Sequence, residues 1–345
     1  MNFWHKFKQA VDRFFHYVPH PVGISIRKVL VIKHGALGDF ILATGPMRAI
    51  REHHKDAHIT LLTTPPYKTL GEATGWFDDV WVDTRPSFWK IRENFRTIHR
   101  IRDAQFDRVY DLQTSSRSNF YFRALGRKKP QWNGIIEWCS HPHLNPERKH
   151  MHTIERQAEQ LSIAGIETVP RPNVGFLKAD ISRFNLPERY ALVVAGGSKH
   201  RPEKRWSMDG FQKLGNWLLE KEITPVFLGT KAEKWHVHDI VGKVKGAINL
   251  TDGTSFAEIA ELARHAQLAV GNDTGPMHLI AAAKCPSFVL FSEASKPELC
   301  APWGKHVTSI QEPDLSKLDV MDVRDVIEDT LDLDKPANQK TTNLK

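Results

Sequence analysis

Long apolar runs are missing from this chain of 345 residues. No stretch of about 18 apolar residues occurs, which excludes an ordinary transmembrane helix. Cysteine is scarce: Cys139, Cys285 and Cys300 lie far apart. They form neither a disulfide framework nor a zinc pattern, and they point to a reducing compartment. The N-terminus has no continuous apolar core and no small-residue cleavage site, so it is not a secretory signal. Zinc-finger and RNA-binding-sheet signatures are also missing, and the basic residues are spread along the chain. No nucleic-acid partner is therefore expected.

What is present is an ordinary soluble composition, 41% hydrophobic and 26% charged, with a net charge of +8. A basic balance of this kind favours an anionic partner such as a phosphorylated substrate or an acidic membrane. In the first 18 residues Phe3, Trp4, Phe7, Val11, Phe14, Phe15 and Val18 recur at helical spacing, with Lys6, Lys8 and Arg13 largely elsewhere. Two readings stand: a helix packed on the protein, or an interfacial helix on an anionic bilayer through residues 3–18. Pro19 and Pro21 end the pattern.

From Ile26 short apolar runs alternate with helical patterns. Strands are expected at 29–32, 59–62, 80–82 and 108–112, with helices over 39–54, 90–103 and 152–164. Pro46 is expected to kink the first. Residues 166–190 hold Pro170, Pro172 and Pro187 with little periodicity, and read as a linker. The alternation then resumes, with strands at 190–195, 224–228, 247–250, 268–270 and 287–291 and helices between them. Strands alternating with helices predict an α/β protein with parallel sheets. The expected organisation is a helix over 1–22, a domain over 23–168, a linker over 169–189, a second domain over 190–333 and a disordered tail over 334–345. Ligands of such sheets bind outside the carboxyl ends of the strands, so two facing domains would form a cleft. T-G-P-M occurs at 44–47, expected inside a helix, and at 274–277, expected to open one. The repeat reads as chance.

Three strand-to-helix junctions carry chemistry. In A-G-G-S-K-H-R-P-E-K-R-W (195–206), small residues precede several cations, which suits a diphosphate or a solvated basic loop. In G-N-D-T-G-P-M-H (271–278), Asp273 or Thr274 can cap a helix with Pro276 in its first turn, where free N–H groups attract anions. A cap alone leaves Gly275 and His278 without a reason. The turn K-H-G-A-L-G-D (33–39) is different, because Gly35 and Gly38 bracket a close approach and Asp39 repels phosphate. Capping is the simple explanation of Asp39. The chemical one is a general base that takes the proton of a hydroxyl.

These blocks, with D-L-Q (111–113), K-R-W (204–206), L-G-T-K-A-E (228–233) and G-N-D-T-G-P-M-H-L-I-A-A-A (271–283), resemble glycosyltransferase family 9. The resemblance covers about residues 26–330 and implies a GT-B fold, two Rossmann-like α/β domains with parallel sheets facing across a cleft. It implies inverting transfer from a nucleotide-sugar, ADP-heptose, to a lipopolysaccharide-core or related glycolipid acceptor. On matching positions, Asp39 is similar to the catalytic base. Ser198 and Lys204 are similar to donor-phosphate contacts, joined by Thr274 and Gly275. Asp273, His278 and Glu233 fall where donor sugar and nucleotide are held, and Gly35, Gly38 and Gln113 lie on the acceptor side. Two stretches depart from the family: His34-Gly35-Ala36, where serine is common, and F-S-E-A (291–294) after the last strand.

Arg117, with Arg123, Arg127, Lys128 and Lys129, forms a basic edge that suits the phosphates of an anionic acceptor or plain solvation. His141, His143, His150 and His152 lack a supporting carboxylate pattern, so no metal and no other cofactor is expected. Cytoplasmic placement follows, peripheral on the inner membrane if the first helix binds lipid. The alternatives are transfer from a different nucleotide-sugar, a non-catalytic nucleotide-binding protein, and a nicotinamide-dependent oxidoreductase. The last would want G-x-G-x-x-G where the first turn has only G-x-x-G-D.

Overall fold

The structure, a computed structural model, describes residues 25–87, 89–127, 129–197 and 201–333. The expected N-terminal helix, Lys128, Ser198 and the expected tail lie outside the described residues. The described residues form two compact units, one of residues 25–36 and 43–171, the other of residues 37–42 and 172–333.

The first unit holds β1 (Lys28–Ile32), α2 (Thr44–His53), β2 (His58–Thr63), α3 (Lys68–Ala73), β3 (Asp79–Val82), α4 (Ile91–Ala104), β4 (Arg108–Asp111), α5 (Ser116–Ala124), β5 (Gln131–Gly134), β6 (His141–Pro142) and α6 (Thr153–Ser162). Its strands are parallel, in the order β3-β2-β1-β4-β5-β6. β1 is buried from Val29 to Ile32, as a strand covered on both faces requires. Its core joins Leu30, Ile32, Ile98, Val109, Phe122 and Trp132.

The second unit repeats the architecture with β7 (Tyr190–Val194), α7 (Met208–Glu220), β8 (Thr224–Phe227), α8 (Lys234–Lys243), β9 (Ile248–Asn249), α9 (Phe256–His265), β10 (Leu268–Asn272), α10 (Gly275–Ala282), β11 (Ser287–Phe291), α11 (Pro297–Cys300), β12 (Val307–Gln311) and α12 (Val320–Thr330). The strand order is β12-β11-β10-β7-β8-β9, again parallel. Ser255 and Glu258 close the capping box expected ahead of α9.

Strand order reverses between β1 and β4 in the first sheet and between β7 and β10 in the second. Such switch points open a crevice at the carboxyl ends of the strands, where ligands of this architecture bind. The loops there are 33–36 and 112–115 in the first unit, and 195–206 and 273–274 in the second. K-H-G-A-L-G-D, D-L-Q, K-R-W and G-N-D-T-G-P-M-H sit on or just after these loops, and Glu233 lies elsewhere.

The expected helix over 39–54 is two helices. α1 (Leu37–Leu42) ends at Ala43 and α2 begins at Thr44. Proline clashes with the carbonyl four residues before it and supplies no N–H, so Pro46 breaks the helix a turn upstream instead of kinking it. Both T-G-P-M blocks therefore stand at helix starts, yet one follows the first strand of its unit and the other the fourth. α1 also groups with the second unit instead of the first.

The first unit buries several titratable groups. His54 bonds the Tyr110 hydroxyl at 2.8 Å, and His34 Nε2 lies 3.5 Å from Asp83 Oδ2. Burial lowers both imidazoles to about 4, against the pull of Asp83 on His34. Burial raises the Asp111 carboxyl to about 6, although the N–H groups of Thr114 and Gln113 favour its anion. Between pH 6.5 and 4 each histidine takes up a proton mainly in the unfolded chain, so stability falls as pH falls. Asp111 works the other way, since the folded state holds its proton up to about pH 6. Two imidazoles against one carboxyl leave a net loss on acidification, on the order of 3 kcal/mol per histidine at most. Thermal melting from pH 7 to 4 should show a falling midpoint, and His54→Gln should flatten the slope.

Candidate functional site

The second unit gathers most of the expected donor residues at its switch point. Asn272, fully buried at the end of β10, organises the place. Its Nδ2 donates to the carbonyls of Ala195 and Gly196, both at 3.0 Å, and its Oδ1 accepts from the Trp206 amide at 2.9 Å. The indole N–H of Trp206 reaches the Leu318 carbonyl. K-R-W is therefore anchored at its third residue, which directs Lys204 inward.

The Lys204 ammonium donates to Asp273 Oδ2 at 2.8 Å, and Ser295 Oγ donates to the same oxygen at 2.7 Å. Asp273 Oδ1 stands 3.9 Å from His278 Nε2. Asp273 is thus held by the 204–206 segment and by the loop after β11, and does not cap the helix. Thr274 is the N-cap residue of α10, but its side chain makes no capping bond, and its Oγ1 is buried without a partner. Pro276 has no N–H and the Met277 amide donates to the Thr274 carbonyl at 3.1 Å, so the Gly275 amide is the first-turn donor that can form the local basis of an anion site.

α1 packs on α10 through glycines. A Cβ on Gly38 would stand 2.7 Å from the His278 ring, and one on Gly275 would stand 2.7 Å from Leu37 Cβ. Only hydrogen at both positions lets the helices approach this closely. Asp39, partly buried, follows Gly38 directly. This contact is why α1 belongs with the second unit.

Glu233 approaches the same loop from another element. Its Oε2 accepts from the Thr230 amide and hydroxyl, and its Oε1 fills the space a Gly196 side chain would take. Arg205 secures the loop by donating to the Gly197 carbonyl at 2.6 Å.

In the first unit the turn 33–36 is latched at His34 through both its amide and its carbonyl. The His34 amide donates to Gln113 Oε1 at 2.8 Å, and the His34 carbonyl accepts from Thr64 Oγ1 at 2.7 Å. Gly35 has φ +111°, where a side chain would be strained and would also run into the Tyr67 ring. Asp111 accepts the Gln113 and Thr114 amides, so D-L-Q forms a turn that presents Gln113 to His34. Arg117 lies inside the domain instead of on the expected basic edge. It is buried, and donates to Asn94 Oδ1 at 2.8 Å and to the Pro86 carbonyl at 2.6 Å. Arg123 and Arg127 are exposed.

Sequence reading missed Asn272 and Ser295. Asn272 lies inside a quoted motif. Ser295 follows the departing F-S-E-A stretch and carried no signal of its own. Among the described residues no helix is long and apolar enough to cross a membrane, and no group of three or more His, Cys, Asp or Glu side chains is placed to hold a metal ion.

Comparison with known proteins places this geometry. Residues 94–330 match the family model described as Glycosyltransferase family 9 (heptosyltransferase). Lipopolysaccharide heptosyltransferase 3 of Escherichia coli K12 is 23% identical over 292 residues, covering 78% of this chain and 83% of the relative. The crystal structure of a family 9 glycosyltransferase from Veillonella parvula superposes with a TM-score of 0.75 at 19% identity, covering 88% of this chain and 96% of that one. E. coli heptosyltransferase WaaC with ADP superposes with a TM-score of 0.69 at 19% identity, covering 88% and 99%. These superpositions fix the fold class as GT-B, two Rossmann-like α/β units.

Proposed function

The chain belongs to glycosyltransferase family 9, and we propose that it is an inverting enzyme that moves heptose from ADP-heptose to a lipopolysaccharide-core or related glycolipid acceptor. The relatives named for lipopolysaccharide heptosyl transfer, and the WaaC structure with ADP, support this donor and acceptor class. The observation that carries the reading is the seating of Gly38 on His278. It sets Asp39 beside the helix whose N-terminus, with Lys204, forms the anion site.

In this reading the acceptor hydroxyl oxygen bonds to the anomeric carbon as the bond from that carbon to the diphosphate oxygen breaks. Asp39 takes the hydroxyl proton, and ADP leaves with the electron pair. The charge that grows on the diphosphate is met by Lys204, by the 196–198 loop including Ser198, and by the N–H of Gly275, directly after Thr274. That donor set supplies the electrostatic stabilisation, so the reaction as written calls for no metal. Asp273 and His278 hold Lys204 and the sugar end of the donor, and Glu233 lies toward the ribose. Gly35 and Gln113 shape the turn that leads to Asp39 on the acceptor side. The protein would work in the cytoplasm, next to the membrane that holds its lipid acceptor, with residues 3–18 as one contact.

Thermal unfolding with ADP, UDP, GDP and NAD tests the reading. A ligand at about one hundred times its dissociation constant adds about 2.7 kcal/mol to stability. Stabilisation by ADP alone is the expected result. A response to UDP or GDP alone would replace the donor, and a response to NAD alone would overturn the transferase reading.

A further inference from the structure

The first unit carries an exposed surface that the transfer reaction leaves unused. Trp89, Ile91 and Phe95 are 92%, 63% and 39% exposed. Ile91 and Phe95 are one helical turn apart at the start of α4, and Trp89 lies two residues before its first residue. Arg92 and Arg96 lie beside them on the outer face, both exposed and without an ion pair among the described residues. Arg100 continues this stripe and stacks over the Trp81 ring at 3.8 Å. The stripe borders an open groove of about 810 Å³. Residues 89–104 hold five Lys and Arg against two Asp and Glu.

This surface is held in place from below. Asn94, buried on the inner face of α4, donates to the carbonyls of Ser87 and Lys90 and accepts from Arg117, which also grips Pro86. The segment before α4 is therefore tied to the domain on both sides of Trp89. Three large apolar side chains kept exposed beside unpaired guanidinium groups are the chemistry of the bilayer interface, where aromatic rings enter the headgroup region and cations meet lipid phosphates.

We propose that the N-terminal end of α4, through Trp89, Ile91, Phe95, Arg92 and Arg96, docks the enzyme on an anionic lipid bilayer. The charge of the stripe selects lipid phosphate, and the apolar side chains anchor the contact. The inference goes beyond the transfer reading.

The test is sedimentation of the full chain with phosphatidylglycerol–phosphatidylcholine vesicles and with phosphatidylcholine vesicles alone. Each basic residue near an anionic surface is worth about a fivefold change in partition, so R92Q/R96Q should bind the mixed vesicles about thirtyfold more weakly. W89S/I91S should weaken binding about tenfold or more. Both pairs are exposed, and melting should match the unsubstituted chain. Transfer to a soluble acceptor analogue should keep its rate. Unchanged sedimentation of both variants would overturn the proposal, as would equal binding to neutral vesicles. Loss of soluble-acceptor transfer would place these residues in substrate binding instead. A dimer abolished by W89S/I91S would make the surface a self-association face.

Discussion

Replacing Asp39 with asparagine is expected to lower kcat by about 10²–10⁴-fold, the usual contribution of a positioned general base. Stabilisation by ADP should be nearly unchanged. The side chain keeps its shape and loses its ability to take a proton. Gly38, whose missing Cβ lets α1 sit on His278, is untouched. The Lys204–Asp273 ion pair is also left in place. A loss of turnover without a loss of nucleotide response would separate an enzyme from a nucleotide-binding protein of the same fold. Full turnover in D39N would remove Asp39 from the role of base, and an equal loss of ADP response would show that α1 has moved.

Much of this arrangement could be read before the structure, and the parts that could not share a physical reason. Buried parallel strands such as Val29–Ile32 and Leu192–Val194 are continuous apolar runs, and helices such as α9 carry their caps within a few residues. β5 offers only Trp132 as a large apolar residue, β6 has two residues, and β12 is a half-buried edge in which Thr308, Ser309 and Gln311 outnumber its apolar residues. Such strands are held by their neighbours in the sheet and not by a local pattern. The sequence pattern accordingly shows no strand after β11 although the expected domain runs to 333, and it leaves β12 and the helices α11 and α12 unmarked. At the site, the motifs named the residues but not their partners. Asp273 looked like a cap, and its real partners Lys204 and Ser295 lie 69 and 22 residues away. The seating of Gly38 on His278 likewise joins residues far apart in the chain, so no local pattern assigns α1 to the second unit.

The pairing of Lys204 with Asp273 separates support from function in a second large effect. Both side chains are mostly buried, at 18% and 8% exposure. Removing one partner of such a pair leaves a charge without its counterion, and Lys204→Ala should destabilise the protein by about 3 kcal/mol. Asp273→Ala should do the same, since Lys204 then loses its carboxylate and Ser295 its acceptor. The double variant carries neither stranded charge, so its loss of stability should be smaller than the sum of the two single losses. Donor binding should behave differently. Lys204 is lost in both Lys204→Ala and the double variant, so neither should recover the ADP response expected of the unsubstituted protein. A double variant that regains both stability and ADP response would mean that the lysine only supports the fold, and that the anion site rests on the N-terminus of α10 alone. Recovery of stability without recovery of ADP binding assigns the Lys204 charge to the diphosphate, with Asp273 holding it in position until the donor arrives.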